Sequence, residues 1–250
     1  MIVRKLGVEL LLGLCLSVYA SASCSNATLA GNYGFTVTGV NGSGSLTAAV
    51  GQLTADGKGG LTGTQTISVA GVISSNVALT GTYSIKANCT GKTTITSGTA
   101  ANFGLVVVSN GGQFEITRTD KGTSQYGYAL AQGKATCTNA GIKNTFGFRG
   151  GGFTSSTVPV AYAGQVKLDG VGGVTGSESA SFGGMVQHFP LTGSYSVNSN
   201  CTGMATFNGG AGNVAHTNFV IVNGGLSAMQ ILTDADTTSP ISCRNSLLGL

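Results

Sequence analysis

GQLTADGKGGLTG, residues 51–63, returns as GQVKLDGVGGVTG at residues 164–176, and LTGTYSIKANCTG at 79–91 returns as LTGSYSVNSNCTG at 191–203. The two pairs are offset by 113 (164 − 51) and 112 (191 − 79) residues, so a whole module is duplicated almost without insertion. A repeat of that length is too long for a solenoid unit and suits a small domain with its own core, which predicts two domains in tandem. Within the repeat, Leu61, Gly63, Gln65, Ile67 and Val69 alternate with Thr62, Thr64, Thr66 and Ser68. Period two marks a strand with one buried face, here backed by a threonine and serine outer face. Leu79, Gly81, Tyr83 and Ile85 repeat the pattern, and Leu191, Gly193, Tyr195 and Val197 do so in the second copy.

Eight such strands are expected in the first copy, near 33–40, 46–55, 61–70, 77–87, 92–97, 103–109, 113–119 and 126–134. Their connections are short and carry Gly, Asn or Asp, as in DGKGG at 56–60 and NGG at 110–112, which is hairpin chemistry. Consecutive hairpins make a meander, and closing eight antiparallel strands removes the exposed edges that so weakly charged a sheet would leave open. The expected fold is all-β, two tandem eight-stranded antiparallel up-and-down barrels, with two-sheet sandwiches as the alternative. The second copy is shorter at its end: Asp234 is nine steps from Cys243, whereas Asp120 is 17 from Cys137. Its last strand must be short or come from Ile241 to Leu248.

Charged residues make up 8% of the chain, about a third of the usual ~25%, so polarity rests on Thr, Ser, Asn and the 42 glycines. The first 22 residues combine Arg4 and Lys5, an apolar run from Leu6 to Val18 and the small residues Ala20, Ser21 and Ala22, the order of a secretory signal peptide. Three segments follow: signal peptide 1–22, module 23–136 and module 137–250. Removing the signal leaves 10 basic and 7 acidic residues, a net of +3 dispersed along the chain, which is no nucleic-acid footprint. No later run reaches the ~20 apolar residues of a transmembrane helix. The expected location is extracytoplasmic, secreted or periplasmic, with a lipid anchor on Cys24 as the alternative.

Cys24 and Cys137 open the two copies, and Cys89 and Cys201 share the context NCTG. In an exported protein such matched pairs read as disulfides, Cys24 with Cys89 and Cys137 with Cys201, leaving Cys243 as a free thiol. The shifted alternative joins Cys89 to Cys137 and Cys201 to Cys243. A zinc site is not expected, since there is no CxxC and the thiols are scattered.

The combination CSNATLAGNYGF, LTGTYS and NCTG resembles a repeated β module of exported bacterial proteins of unknown function, which implies export and an all-β fold and carries no activity. The opening is also similar to avidin, another eight-stranded barrel. Its biotin pocket depends on tryptophan, and this chain has none.

The two histidines after the signal, His188 and His216, sit in no GxSxG or HExxH context, and Asp56 and Asp169 occupy equivalent turns that Asp favours through its own backbone. No catalytic residue, metal site or cofactor is expected. Strand parity turns Glu178 inward, where its first-copy counterpart is Gln65, so Glu178 either stands at the open mouth in water or lines a polar pocket with Tyr195; Gln65 and Tyr83 are the corresponding candidates in the first copy. Two readings follow. One is a non-catalytic structural or adhesive module whose partner is a cell-surface component; the other is a carrier that holds a small apolar ligand inside a barrel. Interior volume discriminates between them.

Overall fold

The computed structural model of the chain describes residues 23–154, 157–209 and 213–245, with 241–245 as backbone only. The expected signal segment, 1–22, lies outside them. Among the described residues the only helical segments are short 3-10 turns.

The first barrel comprises β1 (Gly31–Val40), β2 (Leu46–Ala55), β3 (Gly60–Val69), β4 (Val72–Ile85), β5 (Thr90–Ile95), β6 (Ala101–Val108), β7 (Gln113–Arg118) and β8 (Ser124–Ala131). Each strand pairs antiparallel with the next, and β8 returns to β1 with Phe35 opposite Ala129, so the barrel is closed. One irregularity interrupts the ladder: β4 takes an extra residue between the partners of Gln65 and Ile67, with Asn76 in the left-handed region at φ 56°. Asparagine tolerates that conformation better than most side chains.

The second barrel comprises β9 (Thr145–Thr154), β10 (Val158–Leu168), β11 (Gly173–Phe182), β12 (Met185–Val197), β13 (Thr202–Asn208), β14 (Val214–Val222), β15 (Ser227–Leu232) and β17 (Pro240–Asn245), with the two-residue β16 (Thr237–Thr238) added against β9. The last strand does come from the Ile241 region. It pairs with β15 on one side and β9 on the other, Cys243 lying opposite Ala228 and Phe148, while β9 also pairs with β10. The sandwich alternative is thereby excluded.

The duplicated turn explains its own sequence. Asp56 Oδ1 accepts the backbone N–H groups of Lys58, Gly59 and Gly60 at 2.7–2.8 Å, and Asp169 Oδ1 accepts those of Val171, Gly172 and Gly173 at 2.8–2.9 Å. These donors hold both carboxyls below the usual range. At the same end of each barrel, Cys24 is bridged to Cys89 and Cys137 to Cys201, and the shifted pairing is excluded. Closing loops of 65 and 64 residues contributes about 4 kcal/mol each in the chain-entropy view. The bridge also occupies the Cys24 sulfur that the lipid-anchored alternative requires. Disulfides accord with an oxidising, extracytoplasmic compartment, and no helix among the described residues is long and apolar enough to cross a membrane.

Each barrel has its own interior core, the first around Tyr33, Phe35, Leu53, Phe103 and Phe114, the second around Phe146, Val166, Leu191, Phe219 and Ile221. A third cluster lies between them: Ala48 and Val50 of β2 pack against Val220, Val222, Met229 and Ile231 of β14 and β15. The expectation of threonine and serine outer faces in water therefore needs correction on this side of the first barrel. Ser68 is fully buried and donates to the Thr237 carbonyl at 2.6 Å, and Thr66 accepts from Asn218 Nδ2 at 2.9 Å. Gly34 of β1 is needed for the approach, because a Cβ there would stand 2.5 Å from Val222 Cγ1.

Candidate ligand-binding site

Backbone hydrogen bonds align the two barrels residue by residue. Val107 donates to the Cys89 carbonyl and Ile221 to that of Cys201; Thr119 donates to Asn102 and Thr233 to His216. Thus Phe103 corresponds to Thr217, Phe114 to Ala228, Ile116 to Gln230, Arg118 to Leu232 and Asp120 to Asp234. The repeat offset adds Val37 with Gly150 and Gln65 with Glu178.

The two interiors differ in the residues that line them. In the first barrel Phe103 and Phe114 are buried, and Arg118 crosses the end remote from the disulfide. Its Nε donates to Asp120 Oδ2 at 2.7 Å, Nη1 to Gln125 Oε1 at 2.8 Å and Nη2 to the Ala100 carbonyl at 3.1 Å. Asp120 also accepts the Asn102 backbone and side-chain N–H groups, and its carboxyl is held down to about 2, the Asn102 bonds first and the guanidinium second. The space left is about 100 Å3. In the second barrel Phe becomes Thr217 and Ala228, Arg becomes Leu232 and Val becomes Gly150, into whose vacated space the Tyr162 ring moves. The second barrel holds a cavity of about 470 Å3, lined by Leu232 and Tyr162 among these residues and opening at the end away from the disulfide.

Glu178 lines this cavity, as strand parity predicts. It sits directly opposite Phe189 on β12 and opposite Gly164 on β10. Gly164 has no side chain, and the Phe148 ring fills that place, 2.6 Å from where its Cβ would be. The carboxyl therefore stands between two aromatic residues, and burial pushes its pKa up. Asp234 lines the same cavity near its mouth, accepting the His216 backbone N–H at 2.8 Å and facing His216 Nδ1 at 2.7 Å. Phe182, Phe207 and Tyr162 complete an aromatic wall. Tyr162 and Ser239 share a hydroxyl–hydroxyl hydrogen bond.

The other expected site residues lie elsewhere. Tyr195 is not beside Glu178: it is six residues beyond Phe189 on β12, about 20 Å along the strand. Its hydroxyl donates to the Asn139 carbonyl at 3.1 Å and accepts the Gly170 N–H at 3.0 Å, which ties the disulfide end together. Tyr83 donates likewise to the Asn26 carbonyl at 3.0 Å in the first barrel, where it lines the same small residual space as Gln65. Gln65 is buried within the first barrel's small residual space. His188 is exposed on the outer face, where Nδ1 meets Ser179 Oγ at 2.8 Å, and His216 is exposed as well. Among the described residues no cluster of three or more His, Cys, Asp or Glu side chains could hold a metal ion. The role of Asp234 and the aromatic wall was missed, although the exchange of Arg118 for Leu232 beside a retained Asp was visible in the repeat alignment.

No family model and no curated protein matches this chain. Among solved structures it is similar to kievitone hydratase from Nectria haematococca, at 10% identity and a TM-score of 0.25 over 91% of this chain and 92% of that one. It is also similar to the Myxococcus xanthus hemagglutinin in complex with a mannopentaose, at 11% identity and a TM-score of 0.19 over 85% and 99%.

Proposed function

We propose that this is a non-catalytic, exported binding protein that holds a small, largely apolar ligand inside its second barrel, while the first barrel is a filled structural partner. The supporting observation is the contrast between two copies of one module, about 470 Å3 of interior space in one and about 100 Å3 in the other. Pockets for small ligands start at ~300 Å3 and are mostly apolar with a few polar groups. The structural or adhesive reading explains the first barrel; it gives no reason for a hollow second one.

The neutral dye N-phenyl-1-naphthylamine tests this. Its fluorescence should rise on addition of mature protein, with one site per chain. The double variant Leu232→Arg with Ala215→Phe places the first barrel's arginine and a bulky ring in the lining of the cavity and should weaken the dye by about tenfold or more, a loss of ~1.4 kcal/mol. Equal binding by a folded filled variant would mean that the dye sits elsewhere and that the carrier reading is wrong.

A further inference from the structure

We propose that the ligand is an organic cation, an ammonium group carried on an apolar or aromatic body. This rests on the ligand-binding reading above and narrows it to a charge class.

The duplication itself supplies the first argument. In the first barrel a cation already occupies the interior: the Arg118 guanidinium, bonded to Asp120 and Gln125. The second barrel keeps the aspartate as Asp234 and replaces the arginine by Leu232, which offers no donor. The acceptor is retained, held by the exposed His216 at the rim as Asp120 is held by Asn102, and the cation that lies inside the first barrel has no counterpart. A ligand ammonium entering the mouth would take the position toward Asp234 that the Arg118 side chain takes toward Asp120.

The second argument is the lining. Glu178 and Asp234 both face the cavity, and none of the described residues that line it is Lys, Arg or His. A half-buried carboxylate without a counter-charge is costly, and a cation that enters removes the cost. Phe148 and Phe189 flank Glu178, and aromatic faces attract cations, by about 2 kcal/mol or more when water is excluded. An anion would meet two carboxylates and aromatic faces of the wrong sign. A neutral ligand would fill the volume and leave Glu178 unpaired.

Three probes with one aromatic body separate the charge classes: 2-naphthylmethyltrimethylammonium, 2-naphthalenemethanol and 2-naphthoate, titrated calorimetrically into mature protein at pH 7.5. The cation is expected to bind about tenfold or more tightly than the alcohol, and the carboxylate weakest. Glu178→Gln should bring the cation down to the level of the alcohol and leave the alcohol unchanged. Equal affinities for cation and alcohol, a preference for naphthoate, or no effect of Glu178→Gln overturns the charge assignment while the cavity reading stands. Absence of binding by all three probes overturns both.

Discussion

Glu178 is the residue at which the stability of the unliganded protein and the proposed cation binding are opposed. Its carboxyl has a folded-state pKa above the ordinary value of ~4.3, because burial disfavours the charged form. A carboxyl shifted this way contributes its full stability below ~4.3, and that contribution is lost as pH rises through the folded value. Glu178→Gln should therefore stabilise the unliganded protein and raise its Tm at pH 7, with no gain at pH 3. Thermal melts of the two proteins at both pH values check this, and equal shifts at pH 3 and pH 7 would attribute the gain to packing instead. Asp120 has the opposite sign. With its carboxyl held at about 2, its contribution is complete above ~3.9 and disappears as pH falls through 2. The inward direction of Glu178 was legible because parity along a strand is a binary choice. Tyr195 shares that parity and not that height, since height depends on the pairing register, which no residue of β12 reveals alone.

Strands and turns were legible nearly throughout, because alternation and turn residues are local signals. The expected 46–55 and the observed β2 Leu46–Ala55 coincide, and the disputed last strand fell on Pro240–Asn245. Strand β4 starts five residues earlier than expected, at Val72, because Asn76 sits in a bulge inside a strand where the sequence suggests a loop. Cavity volume was not legible, since it depends on which side chains of different strands share one layer. The exchange of Arg118 on β7 for Leu232 on β15 shows how little sequence is involved. Arg118→Leu should open the mouth of the first barrel and create a second dye site per chain. Loss of its partly buried, charge-assisted bonds to Asp120 and Gln125 should cost about 1–3 kcal/mol. Dye stoichiometry by titration measures the outcome. An unchanged stoichiometry would mean that Phe103 and Phe114 alone keep the first barrel closed to ligand.

The two barrels meet through non-equivalent faces, β1 to β3 and β8 of the first against β14 to β17 of the second. Such a contact is heterologous: the face that receives in one copy is left open in the other. In the first barrel the counterparts of Val220 and Met229 are Val106, which is 44% exposed, and the exposed Glu115. Here sequence fails for a physical reason. FVIV at 219–222 and LVVV at 105–108 both read as strands apolar on two faces, yet only the first is covered on both. The glutamate at 115 interrupts the apolar face that would otherwise accept a further barrel and extend the chain of contacts. Within the molecule, the shared cluster couples the unfolding of the two barrels, and Gly34 is the narrowest point of the approach. Gly34→Val should force Val222 away and cost about 1–3 kcal/mol, a strain confined to the interface because residue 34 points out of the first barrel. Calorimetry should then resolve one unfolding transition into two, while dye binding in the second barrel persists. A single transition at unchanged temperature would show that the barrels are not coupled through this cluster, and would point instead to Gln132, whose side chain donates to the Ile221 carbonyl and whose own carbonyl accepts the Gly224 N–H.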